Sequence, residues 1–370
     1  MATFTVIDAD SHVEEPTEAW AFLDERYAAR KPFVVTAENR PILAEMNAFW
    51  YIDGRVFPRP VGRGTTVFGT PLAQVFAGKK RFSPGSQSLT DVEARVRDLD
   101  AAGIDLQVVF PSIFLEPLSD DVQFEAALMR SYNTWIGQAC ARRPDRLRWA
   151  AIMPMRHVPA AVEELRRAKA LGAVGAALFG TVGETMLHDE AFDPFFAEAE
   201  RLDMPIGVHA GWSHPGIQRS LDTLPGARAL GFTLPSFLGF YSFLGAGILD
   251  RYPRLKVAFL EVGVEWVPYL VQRMDHYFHG DSQLGWPIPA KRTAREYLRE
   301  CQVYFTCEAE EEFLPQAATY VGEDRLLFEA DMPHAEARDN ALHEIRGRVD
   351  LSDALKQKIL HDNAVRFYGF

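Results

Sequence analysis

The sequence predicts a single α/β domain built as a (β/α)8 TIM barrel, and three observations carry that prediction. Short apolar runs alternate with amphipathic segments along the chain, giving eight strand–helix units. The runs are continuously apolar, the mark of parallel strands covered by helices on the outside. Four strand ends offer a metal-capable side chain: Asp10 with His12, then His209, Glu261 and Asp331. A closed barrel gathers its chemistry at the C-terminal ends of its strands, so ligand types at four separate ends suit it. No Gly-x-Gly-x-x-Gly follows the first run, which counts against a dinucleotide-binding sheet.

The first strand is read at about Phe4 to Asp8. Residues two apart on an extended chain share a side, so Asp10 and His12 project together from its end. The bland alternative is a strand-end turn capped by Asp10. Residues 20–88 break the rhythm with clustered Pro and Gly, interleaved with aromatics such as Phe49, Trp50, Tyr51 and Phe57. Coming straight after the first strand, this insertion is placed over the C-terminal mouth as a lid, with a small hairpin near Phe49 to Val56. The plainer reading is a surface insertion. Arg55 and Arg59 within it are candidate binders of a substrate carboxylate.

The barrel rhythm then resumes. A helix over Asp91 to Ala102, stopped by Gly103, leads to a strand from Ile104 to Phe110. Helix Asp121 to Arg142 precedes strand Leu147 to Met153, and helix Pro159 to Leu171 precedes strand Ala173 to Phe179. Helix Ala191 to Leu202 feeds the run Met204 to Val208 that ends at His209. Residues 212–233 form a second insertion, whose Trp212 and His214 are expected to wall the site. A helix within Pro235 to Arg251 precedes Leu255 to Leu260, which ends at Glu261. Helices from Val267 and Ala290 precede strand Gln302 to Thr306. Phe313 to Val321 precedes the last run, Arg325 to Ala330, which ends at Asp331, and helices from Glu336 and Asp353 close the chain.

At 370 residues, the chain exceeds the roughly 250 of a bare barrel, so insertions are expected in one domain spanning 1–370. Its net charge of −12 argues against nucleic acid or an anionic membrane as partner, since either needs a basic face. No apolar run approaches 18 residues, so no membrane span is expected. Cys140, Cys301 and Cys307 are sparse and odd in number, which suits a reducing compartment, and a cytoplasmic protein is expected.

Several segments resemble the amidohydrolase superfamily, in the branch of aminocarboxymuconate-semialdehyde and resorcylate-type decarboxylases. The matching pieces are Ile7-Asp8-Ala9-Asp10-Ser11-His12 with Glu15-Pro16, Val208-His209-Ala210-Gly211, Leu260-Glu261-Val262-Gly263 with Trp266, and Ala330-Asp331-Met332-Pro333-His334. The tail from Ile359 to Gly369 matches as well, so the similarity spans essentially the whole chain. The resemblance implies Asp10, His12, His209 and Asp331 as ligands of one divalent metal. It also implies a homo-oligomer, as relatives commonly are. Two departures stand out: the branch often has His-x-His at the first strand, and decarboxylase relatives place a His where Glu261 stands.

Two carboxylates and two imidazoles suit Zn2+ first, with Mn2+ or Fe2+ as alternatives. Asp331, Glu261 and His334 are the candidates for proton transfer. The expected reaction is non-oxidative decarboxylation of a small aromatic or unsaturated carboxylic acid. The alternatives are hydrolysis of a C–N or C–C bond by metal hydroxide and, from another class, a barrel that only binds a ligand. No Gly-x-Ser-x-Gly elbow surrounds any Ser, which excludes that nucleophile pattern.

Overall fold

A computed structural model describes residues 5–36, 48–57, 60–61, 65–66, 82–283, 285, 289–334 and 340–370. Eight strands lie in one parallel sheet in strict chain order, β1 to β8. They are β1 Ile7–Val13, β2 Leu106–Pro111, β3 Leu147–Ile152, β4 Gly175–Phe179, β5 Ile206–His209, β6 Lys256–Leu260, β7 Gln302–Cys307 and β8 Leu326–Phe328. Helices intervene between successive strands, among them Val92–Ala102, Val122–Cys140, Val158–Ala170 and Asp193–Arg201. The expected (β/α)8 barrel is the observed architecture.

The seam between β1 and β8 closes without a regular ladder. The His12 amide donates to the Met332 carbonyl at 2.7 Å, and the Ala330 amide donates to Asp8 Oδ1 at 3.0 Å. Asp8 also accepts from Gln107 Nε2 on β2 at 2.9 Å, so one fully buried carboxyl ties together β8, β1 and β2. Burial pushes it up to about 7 despite these donors.

β1 runs further than the sequence suggests. It continues to Val13, so Asp10 and His12 lie within the strand, and its register against β2 shifts between Asp8 and Ser11. That irregularity re-aims side chains on the strand that carries two candidate ligands. The helix expected across Pro235 to Arg251 is broken: Leu234–Phe240 gives way to a wider turn at Tyr241–Gly245, and Ile248–Arg251 follows Gly247 at φ 81°. Helix Leu234–Phe240 packs so close to the end of β4 that a Cβ on Gly180 would lie 1.7 Å from the Pro235 carbonyl oxygen.

The hairpin expected near Phe49 to Val56 is present. Ala48–Ile52 pairs with Arg55–Phe57 across Asp53 and Gly54, both at positive φ, and Phe33–Thr36 adds a third antiparallel strand. This small sheet is pinned to the segment after β2: Trp20 and Trp50 pack edge to face, Trp20 meets Phe114, and Arg30 pairs with Asp121 at 2.7 Å. Much of the rest of the expected lid lies outside the described residues. Among the described residues no helix is long and apolar enough to cross a membrane.

Candidate metal centre

His12 comes from β1 and His209 ends β5, and both are buried. His12 Nδ1 donates to the Pro111 carbonyl at 3.1 Å, and His209 Nδ1 donates to the Ala210 carbonyl at 2.7 Å. A carbonyl only accepts, so each Nδ1 carries the proton and each Nε2 presents a lone pair. The two Nε2 atoms face each other at 3.1 Å. Two lone pairs so placed repel unless a cation lies between them.

Carboxylates complete the ring. Asp10 Oδ1 is 3.8 Å from His12 Nε2, and Asp10 Oδ2 is 3.6 Å from His209 Nε2. Asp331 Oδ1 is 3.6 Å from His12 Nε2. Asp10 is 1% exposed, and neither of its oxygens has a hydrogen-bond partner among the described residues. A buried carboxylate left so bare is costly without a counter-charge. Donor atoms about 3 to 4 Å apart are what a shared ion with bonds of about 2.0–2.2 Å requires. Asp10, His12 and His209 therefore fit a divalent metal, and Asp331 adjoins them through His12, in a second group with His334.

The electrostatics agree. Burial, then the charges of Glu329, Glu261 and Asp331, push the Asp10 carboxyl well above the usual carboxylate range. Burial, then His334 and His209, hold His12 well below the usual imidazole value. A divalent cation reverses the first effect and exploits the second, since it needs an ionised carboxylate and a neutral ring.

A second group adjoins the first. His334 stacks on His12 with ring centres 4.1 Å apart, and its Nδ1 donates to Asp331 Oδ1 at 2.7 Å. Its Nε2 lies 2.7 Å from Ser112 Oγ, just past β2. Burial works against a charge on this ring, but Asp331 and then Glu261 and Glu14 outweigh it and hold His334 up to about 9. Ser112 is itself placed by Glu15, whose carboxyl accepts the Ser112 amide at 2.8 Å and the Ile113 amide at 3.1 Å.

Glu261 and Asp331 follow β6 and β8 and both adopt left-handed backbone, at φ 55° and 50°. The Glu261 amide is held by Thr306 Oγ1 at 2.9 Å and by Glu329 Oε2 at 3.2 Å. Burial, then Glu308, push Glu329 well above the usual carboxylate range.

The expected ligands thus converge, with Glu261 and His334 beside them. The expected substrate binders that the structure describes make contacts of their own. Arg55 is ion-paired with Asp120 after β2. His214 Nδ1 accepts the Ile217 amide at 3.2 Å and caps helix Pro215–Ser220. Trp212 is buried against Phe232, with its Nε1 donating to the Ala227 carbonyl at 3.2 Å. Arg59 lies outside the described residues. Sequence reading missed Ser112, Thr306 and Glu329. Each sits at or near a strand's C-terminal end, the one signal that was available.

Comparison with known proteins agrees with the architecture. A family model described as "Amidohydrolase" matches residues 84–370. The gamma-resorcylate decarboxylase of Rhizobium sp. (strain MTP-10005) is 28% identical over 291 residues, covering 76% of this chain and 88% of that protein. A dihydroxybenzoic acid decarboxylase from Polaromonas sp. JS666, solved with bound manganese and the inhibitor 2-nitroresorcinol, superposes with a TM-score of 0.64 at 27% identity. It covers 74% of this chain and 85% of that one. An amidohydrolase from Mycobacterium avium subsp. paratuberculosis K-10 shares the fold over 100% of both chains, with a TM-score of 0.79 at 23% identity.

Proposed function

The chain belongs to the amidohydrolase family, and from that premise we propose that it is a metal-dependent carboxy-lyase acting on a small aromatic or unsaturated carboxylic acid. The observation that carries the metal is the inward-facing pair of Nε2 lone pairs at 3.1 Å beside the bare Asp10 carboxylate. The decarboxylase names of the relatives carry the choice of reaction over hydrolysis.

Asp10, His12, His209 and Asp331 hold the ion. When bound, it supplies Lewis-acid polarisation of a substrate oxygen. Zn2+ suits the mixed donor set, and the manganese of the Polaromonas relative supports Mn2+ as well.

Loss of CO2 leaves an electron pair on the carbon that bore the carboxylate, and a proton must take its place. Asp331 and His334 are joined by a 2.7 Å hydrogen bond, and the Asp331 carboxylate beside the ring favours its protonated form. This pair is the proton source. The proton moves from His334 Nδ1 to Asp331 Oδ1 and on to the substrate carbon, and Ser112 Oγ fixes the ring from its far side. Glu261 faces the imidazole pair, so the proton step is assigned to Asp331 and His334.

The test is CO2 release from a panel of hydroxy-substituted benzoic acids, run in D2O with the Mn2+- or Zn2+-loaded protein. The reading expects deuterium at the vacated carbon and at least about a 100-fold loss of kcat in Asp331→Asn, the low end of general acid catalysis. Turnover that liberates no CO2 while cleaving amides or esters would favour hydrolysis and overturn the reading.

A further inference from the structure

Glu261 follows β6, and its position is specific. Its Oε2 lies 3.1 Å from His209 Nε2 and 3.8 Å from His12 Nε2. That oxygen is buried and has no hydrogen-bond partner among the described residues, while the side chain as a whole is 22% exposed. With a proton on each Nδ1, the two neutral rings turn Nε2 lone pairs toward it. A carboxylate oxygen against two lone pairs is repelled by both. A shared cation between these atoms turns each of those repulsions into attraction.

The backbone is built to hold this pose. Glu261 sits at φ 55°, a left-handed conformation that is strained for a non-glycine residue. Thr306 Oγ1, through its hydroxyl oxygen, and Glu329 both engage the Glu261 amide and over-determine it. Strain fixed by two neighbours, at the residue whose carboxylate faces the imidazole pair, points to a site requirement.

We propose that Glu261 is a fifth protein ligand of the divalent ion; this rests on the metal reading above. The donor set becomes three carboxylates and two imidazoles. Added oxygen donors favour harder ions, so Mn2+ gains on Zn2+. Glu261 is committed to the ion and does not carry the transferred proton, which leaves that task to Asp331 and His334.

The test compares metal-free wild type, Glu261→Gln and His209→Ala. Mn2+ binding is followed by loss of the free-ion EPR signal, and Co2+ loading by its visible absorption. The expected result is about one Mn2+ per wild-type chain, at least about 10-fold weaker binding in Glu261→Gln, and Co2+ bands altered in position or intensity in that variant. His209→Ala should bind no stoichiometric ion. Dichroism and melting of the metal-free variants report folding separately. Glu261→Asp, which keeps the charge but shortens the reach, serves if the amide variant does not fold, with the same spectral change expected. Co2+ bands identical to wild type would overturn the proposal, because a charge acting from outside the coordination shell leaves the ligand set unchanged. Wild type that binds no Mn2+ or Co2+ sinks the metal reading itself, and this proposal with it.

Discussion

Proton placement on two imidazoles decides what this site can do. Pro111 and Ala210 accept from Nδ1 of His12 and His209, and both acceptors lie at the C-terminal ends of strands. The same strand ends thus position the rings and set their tautomers. Ser112 performs a related task for His334. Ser112→Ala removes a hydrogen bond to a charged ring, worth about 1.5–3 kcal/mol. The expected result is a fall in kcat of about 10-fold or more with KM little changed, read from initial rates of CO2 release. Glu15 gives a prediction in pH. Burial pushes its carboxyl up to about 8 from the ordinary 4.5, even though backbone amides favour the ionised form. Between those values the unfolded chain has lost the proton that the folded chain keeps, so stability falls as pH rises. The contribution is whole below pH 4.5 and is lost as pH rises through 8. Glu15→Gln should therefore show a melting temperature that declines less steeply than wild type from pH 5 to 8. A parallel decline in both proteins would contradict this. The four proposed metal ligands and His334 stood out in the sequence because Asp and His at strand ends are chemically conspicuous. Ser112 was not, because a hydroxyl gains its role only from the ring that the fold brings to it. Arg55 is engaged by a distant ion pair with Asp120, and His214 by a local cap on the Ile217 amide.

Elements were legible where periodicity is local. The parallel strands read as apolar runs, and the helices after Asp91 and Asp121 carry caps that the structure retains, with Asp91 accepting the Ala94 amide and Asp121 the Phe124 amide. The extension of β1 to Val13 was not legible, because its continuation, Asp-Ser-His, reads as a polar turn. Pairing with β2 through Val13 overrides that local preference. The broken helix between β5 and β6 was hidden for a similar reason. Its apolar content suits one long helix, but Gly247 at φ 81° and the close approach to β4 divide it. Gly180 makes that approach possible. Gly180→Ala puts a methyl group into the Pro235 carbonyl, a backbone atom that cannot swing aside. The expected cost is about 1–3 kcal/mol or more, the range for overpacked sites. Urea unfolding checks it, and a midpoint equal to wild type would show that the helix shifts freely.

At the scale of the whole molecule the barrel is a device for converging distant residues. Asp10 and Asp331 are far apart in the chain, yet β1 and β8 are neighbours, and Asp8 with the His12 amide closes the seam between them. The eightfold alternation made this closure legible, since a closed parallel barrel places the first strand beside the last. The identity of the substrate was not legible, because specificity resides in loops whose contacts are not periodic. The charge balance of the site is also a whole-fold property. On the proposed reading, a divalent ion would offset the charges of Asp10, Asp331 and Glu261 and so accommodate an anionic substrate despite the net charge of −12. The most direct measurement of the central claim is the metal content of freshly purified protein, wild type beside His209→Ala. The account predicts about one equivalent of a divalent transition metal per wild-type chain and none in the variant. Wild type that carries no metal, and takes up none when Mn2+ or Zn2+ is added, would contradict it.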